Sequence, residues 1–311
     1  MSENKDQLTD RVVSVVTLLA ALTVILLAAG IFLTLMKESI PAIRKFGVFG
    51  FIFSTNWDPV NEDFRAGSAI FGTLITTSLA LMIAAPASIG VAVFVTEIAP
   101  DRLKNLIGLA IELLAAIPSI IYGMWGLYTL SPIMSKTVEP LLQNTFGRLP
   151  VFGVLFSGTP LGIDILTASL ILSIMIIPFS ASIARDSFLL TPSVVKESSY
   201  ALGATKWEMV IDVVMPYAKS GVIGGIFLSL GRALGETMAL AFVLGNKHKI
   251  PTSLFDAADT ITVTLANEFA EAQGESYLSS LFFLALILFF MSFTILAAAK
   301  ILLKISQRKH R

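Results

Sequence analysis

An arginine inside an apolar stretch needs a reason, and this chain carries one at Arg232, within residues 221–244. At the centre of a membrane helix an arginine costs at least ~2.5–3.5 kcal/mol, so it must face protein or a water-filled path. Glu236 follows four residues later, on the same face of an unbroken helix. Two chemistries fit such a pair. It is an ion lock between helices, or it is a site where the guanidinium's planar fork of donors meets an oxyanion in passage. In the second case Glu236 holds the arginine when no anion is present, or accepts the anion's proton. Thr237 stands beside them. The run Thr76-Thr77-Ser78 could also bond a passing anion, although hydroxyls within spans commonly bond back to their own helix or to a neighbour. Glu112 is a further carboxylate inside a predicted span, where structural pairing is the stronger reading.

Other chemistries lack their residues. The chain has no cysteine, and histidine occurs only as His248 and His310, each in a polar segment where it is expected to be solvated. Thiolate metal sites and disulfides are therefore excluded, a Ser-His-Asp triad is disfavoured, and no metal or other cofactor is expected. No Gly-x-x-x-x-Gly-Lys-Ser/Thr stretch is present, so ATP cannot be cradled here in the P-loop manner. Net charge is zero and no basic block occurs, which argues against nucleic acid as a partner.

The elements that must position these residues are membrane helices. Of 311 residues, 55% are hydrophobic and 14% charged, and mean hydropathy is +0.81, whereas soluble domains carry about 25% charge. Six apolar runs are each long enough for a bilayer core, which takes ~20 helical residues. They cover 12–35, 70–97, 106–130, 163–183, 221–244 and 277–303. The first exceeds the apolar centre of a signal peptide and more spans follow, so an uncleaved helix is expected. Pro86, Pro118 and Pro178 each interrupt a run, as helix breaks near transport paths do. Residues 36–68 form a long polar segment, with an amphipathic helix expected along the interface, and 134–161 form a second. Most lysines and arginines collect on the side of the N-tail, the 98–105 and 184–219 loops and the C-tail, which puts both ends in the cytoplasm.

Within the cytoplasmic loop, residues 197–216 are patterned where a mere connector would not be. Trp207, Val210, Ile211 and Val214 form one apolar stripe on a short helix, with Lys206, Glu208 and Asp212 off it. Gly203 offers a turn and Pro216 is expected to stop the helix. A lipid-seeking helix would carry lysine and arginine along its polar face. A mixed-charge face suits a knob held in another protein's groove.

Glu197…Gly203…Pro216, with Arg185-Asp186 before them, resembles the cytoplasmic coupling loop of permease subunits in binding-protein-dependent ABC importers. Trp57-Asp-Pro-Val60, Gly231-Arg-Ala-Leu-Gly-Glu-Thr-Met-Ala239, Gly245-Asn246 and Ala266-Asn-Glu-Phe-Ala-Glu-Ala272 narrow the resemblance to the phosphate-importer permeases. It runs over nearly the whole chain, least distinctly at the ends and at 134–161. It implies an all-α integral membrane fold of six spans with the core common to MetI-like permeases. Residues 1–69 would form an N-terminal tail, first span and extracytoplasmic segment, 70–303 the permease core with its coupling loop at 185–219, and 304–311 a basic tail. It also implies phosphate as cargo, a paralogous permease chain as partner, two copies of a cytoplasmic ATPase and an extracytoplasmic phosphate-binding protein. Arg232, Glu236, Thr237, Thr76 and Thr77 would line the path; Glu197, Ala201, Gly203, Trp207 and Pro216 would meet the ATPase. Glu268, Glu271 and Glu275 could dock the delivering protein, a solvated face being the plainer expectation. The rivals are the sister permease of the same importer, a permease for sulfate or molybdate, and an ion-gradient-driven transporter. The last would usually show an internal repeat, and none is evident. An intramembrane enzyme lacks a nucleophile–base pair.

Overall fold

The computed structural model of the protein describes residues 3–150 and 153–308. His310 and the end of the basic tail lie outside the described residues. Among the described residues five helices are long and apolar enough to cross a membrane: Asp10–Glu38, Gly67–Ile98, Ile165–Leu189, Lys206–Leu234 and Glu275–Ile301. A bent pair, Asp101–Ala115 and Ser119–Thr145, makes a sixth. In chain order these are the first to sixth spans, with the bent pair as the third. The first bares its apolar residues within the chain, as a lipid-facing helix does. Its Phe32 ring meets Phe289 and Phe290 of the sixth.

The second and fourth spans form the central seam, and it is made of small residues. Ala69, Thr73, Thr76, Thr77, Ala80 and Ala84 fall at helical spacing on the second, and all are buried. Ala168, Ser169, Ser173, Ser180 and Ala184 are buried on the fourth, and the Ser88 and Ser180 hydroxyls bond across at 3.1 Å. Without a hydrophobic drive in lipid, such close approach supplies the helix–helix energy. Thr76 and Thr77, expected along the path, are 0% and 2% exposed within this seam. Farther out, a Cβ on Gly72 would stand 1.8 Å from the Asp259 carbonyl oxygen. Gly72→Ala should therefore lower stability by roughly 1–3 kcal/mol through overpacking, read as a lower melting temperature of the purified protein.

Pro118 reshapes the third span. The residue before a proline avoids the α region, and proline has no N–H to give. The expected single helix over 106–130 instead turns through 89° between Asp101–Ala115 and Ser119–Thr145. The Tyr122 hydroxyl donates to the Leu114 carbonyl at 2.9 Å and closes the bend. Ser119–Thr145 is ~40 Å long at 1.5 Å per residue, so helix continues through much of the segment read as polar from residue 134. The preceding Asp101–Ala115 helix is too short to span. It lies across the inner ends of its neighbours, where Ile111 packs with Val95 and Ala181. Glu112 is therefore on the short arm of the bent pair. It pairs with Arg185 on the fourth span at 2.9 Å, and the two line a groove of about 390 Å³ with Lys104 and Asn105.

On the opposite face, Ile40–Phe46 and Val48–Phe53 are short helices, followed by an antiparallel hairpin of Trp57–Asp58 with Asp63–Phe64. Phe51, Trp57 and Phe64 bury against Ile261, Leu281 and Phe283, which seals this segment onto the start of the sixth span.

Candidate translocation and coupling sites

The fifth span stops short. Its helix ends at Leu234, Gly235 closes it, and a new helix begins at Met238 and runs to Val243. Arg232 sits in the last turn, where the negative end of the helix dipole favours a cation. Its guanidinium carbon stands 5.9 Å from the centre of the Phe179 ring on the fourth span. Glu236 turns the other way. Its Oε1 accepts the Ala239 N–H at 3.1 Å, capping the second helix, and its carbonyl accepts the Thr262 hydroxyl at 2.6 Å. The expected pairing of Arg232 with Glu236 is thus not formed, because four-residue spacing brings side chains together only on a continuous helix. Among the described residues the ion pairs leave Arg232 out. Arg232 is exposed on the isolated chain, as are Tyr217 and Leu228 at spacings that put them on its side of the helix. Thr237 opens onto a separate groove of about 370 Å³, apolar apart from its own hydroxyl and that of Thr262.

The 184–219 loop folds as Ser193–Ala201, a turn with Gly203 at φ 91°, and a helix entered at Lys206. Nothing lies within 4 Å of a Cβ built on Gly203, so conformation alone calls for glycine there. Thr205 and Glu208 form a capping box: the Glu208 N–H donates to Thr205 Oγ1 at 3.3 Å, and Glu208 Oε2 accepts the Thr205 N–H at 2.7 Å. The predicted stripe is divided. Val210 and Val214, with Met209, bury against Ala92, Val93, Ala184 and Phe188. Trp207 (64% exposed) and Ile211 face outward with Leu202. Pro216 does not stop the helix, which runs on to Leu234. The helix widens to π geometry over Met209–Val214, just before the proline that cannot donate to the Asp212 carbonyl. Glu197, Ala201 and Pro216 are exposed.

One contact here had no signal in the sequence. Lys196 Nζ reaches Glu97 Oε1 at 2.6 Å, tying the loop helix to the inner end of the second span. The two are 99 positions apart.

The outer face holds a second polar assembly. His248 Nδ1 meets Asp259 Oδ2 at 2.7 Å and its Nε2 meets Glu268 Oε1 at 3.0 Å. Glu268 Oε2 also accepts from the Trp57 indole at 2.7 Å and the Tyr277 hydroxyl at 2.8 Å. His248 is therefore clamped and not solvated, and Glu268 is committed to the chain's own structure, leaving Glu271 and Glu275 exposed. Burial alone would lower the histidine's affinity for its proton; the two carboxylates outweigh it and raise the pKa from 6.5 to about 9. A raised pKa stabilises the fold fully below about pH 6.5 and is lost as pH climbs through 9. We expect the melting temperature of the wild-type protein to fall across that window, by a contribution on the order of 3 kcal/mol. His248→Gln should remove that part of the decline.

Comparison with known proteins agrees with this architecture. Residues 88–311 match the model of the family described as "Binding-protein-dependent transport system inner membrane component". The phosphate transport system permease protein PstC of Mesorhizobium japonicum is 50% identical over 296 residues, covering 95% of this chain and 90% of that protein. The PstC of Haemophilus influenzae is 47% identical, covering 94% and 93%. A probable PstC of Methanocaldococcus jannaschii is 36% identical, covering 88% and 87%. Among solved structures, the inward-facing MetNI methionine ABC transporter aligns with a TM-score of 0.57 at 17% identity, over 76% of this chain and 94% of that one. A bacterial ABC transporter for alginate import aligns at 0.54 and 16%, over 90% and 95%. At that identity the two structures speak for the fold alone. With its spans, the exposed face of its 184–219 loop and these relatives, the chain belongs to the binding-protein-dependent transport system inner membrane components, and within them to the PstC family of permeases.

Proposed function

We propose that the chain is the permease subunit of an ATP-driven phosphate importer, set in an inner membrane with both termini cytoplasmic. The observation that carries the reading is Arg232, held at a helix break, exposed on the lone chain and left out of every ion pair among the described residues. A charge so placed is tolerable in a membrane only where another chain or water covers it. A paralogous permease chain covering this face would leave the guanidinium lining a passage, with its donors free for a phosphate oxygen pair.

The remaining partners follow from the other surfaces. The resemblance to the family assigns Glu197, Ala201, Gly203, Trp207 and Pro216 to the groove of a cytoplasmic ATPase, present as two copies in the assembly, and the exposed Leu202 and Ile211 would add apolar surface to that contact. Closure of the ATPases on ATP would move the loop and reorient the spans as rigid pieces. A phosphate-binding protein would deliver at the outer face, where Glu271 and Glu275 remain exposed. The chain itself makes and breaks no covalent bond.

The test is ATP-dependent uptake of radiolabelled phosphate into vesicles holding the chain with its co-purifying subunits, with sulfate and molybdate as competitors. Uptake that requires ATP and resists both competitors is expected. Transport by the purified chain without ATP or partners would overturn the reading.

A further inference from the structure

Two carboxyl groups have no part in the arrangement above. Glu139, near the outer end of the third span, and Asp164, the residue that caps the fourth, are both 0% exposed. Glu139 Oε2 accepts the Gly162 N–H at 3.2 Å, and Asp164 Oδ1 accepts the Thr167 N–H at 2.9 Å. Their other oxygens, Glu139 Oε1 and Asp164 Oδ2, find no donor among the described residues, and the buried Thr167 hydroxyl beside them is unpartnered too. Because Glu139 is held by the N–H of Gly162, two residues before Asp164, and Asp164 by the N–H of Thr167, both carboxyls belong to the same buried turn at the start of the fourth span.

Two carboxylates gathered in one turn away from water resist joint ionisation, and among the described residues no ion pair reaches either of them. Each oxygen without a donor also carries the full desolvation cost of an unmet acceptor. A single proton answers both problems, since it makes one carboxyl a donor to the other. A proton suits the pair better than a metal ion, because among the described residues no third carboxylate or histidine joins the two to complete a ligand set. We propose that Glu139 and Asp164 form a proton-binding site at the outer rim of the bundle, sharing one proton that latches the end of the third span to the start of the fourth. Loss of the proton would leave two negative charges facing each other and drive these ends apart.

The test is infrared difference spectroscopy of the purified transporter complex between neutral and alkaline pH. A carbonyl-stretch band of a protonated carboxylic acid is expected at neutral pH, shifted by deuterium and lost on alkaline titration. Glu139→Gln and Asp164→Asn should each abolish the band. Both are expected to fold, because the amide donates to the remaining carboxylate and asparagine still caps the fourth span. In a His248→Gln background, which removes the histidine's own decline, Glu139→Gln should abolish the fall in melting temperature that remains over the range where this band disappears. The proposal is overturned by a wild-type spectrum without the band, by a band unchanged in both variants, or by a stoichiometric metal whose chelation lowers the melting temperature.

Discussion

Arg232→Ala is expected to abolish phosphate uptake by the assembled transporter, by roughly a hundredfold or more, while the complex still forms and still hydrolyses ATP. The size follows from what the guanidinium would supply. Charge-assisted hydrogen bonds contribute about 1.5–3 kcal/mol each, and a bidentate grip on an oxyanion uses two; each 1.4 kcal/mol is about a factor of ten. The selectivity of the effect follows from what the structure withholds. Because Arg232 is in no ion pair and lies on an exposed face, truncating it breaks no lock within the chain. Arg232→Lys keeps the charge and loses the planar fork, so it should fall between wild type and alanine. The measurement is uptake and ATP hydrolysis on the same vesicles. Loss of assembly together with uptake would instead identify Arg232 as a clamp to the partner permease.

Much of this was legible in the sequence, for reasons that also explain the gaps. Spans are read from runs of apolar residues, and all six were found, because lipid imposes the same requirement along the entire length of a helix. Arg232 stood out because charge in such a run is costly. The errors share one origin, which is that the backbone was assumed to continue. Arg232 and Glu236 are one turn apart only on an unbroken helix, and Gly235 ends it. The break at Pro118 turns the chain by 89° and puts Glu112 on the short arm of a bent pair, where it meets Arg185. Pro216, read as a stop, is accommodated by a widened turn. Proline and glycine mark where geometry changes without saying how. The three-dimensional pairings were silent altogether. Glu97 with Lys196, His248 with Asp259 and Glu268, and Glu139 with the Gly162 N–H join segments whose separation in sequence carries no periodicity.

The Glu97–Lys196 pair carries the second large prediction, because it decides what moves when the ATPase closes. Lys196 is on the first helix of the loop, beside Glu197, while the outward face that carries Trp207 belongs to the second. The second helix is fixed to the bundle by Met209, Val210 and Val214. For the first helix, the ion pair to Glu97 is the charged link to the second span, with the two side chains 20% and 8% exposed. Breaking a well-buried pair by removing one partner costs about 3–5 kcal/mol. The partial exposure of the lysine lowers this, and ~2 kcal/mol already shifts a two-state equilibrium more than tenfold. Lys196→Glu should therefore leave ATPase subunits bound and hydrolysing, yet cut phosphate moved per ATP by tenfold or more. The reversed pair, Glu97→Lys with Lys196→Glu, should recover a substantial part of it. Trp207→Ala supplies the contrast, since it removes an anchor from the docking face itself and should release the ATPase from the purified complex. If Lys196→Glu also releases the ATPase, the pair belongs to docking; if neither measurement changes, the push reaches the spans through the buried valines alone.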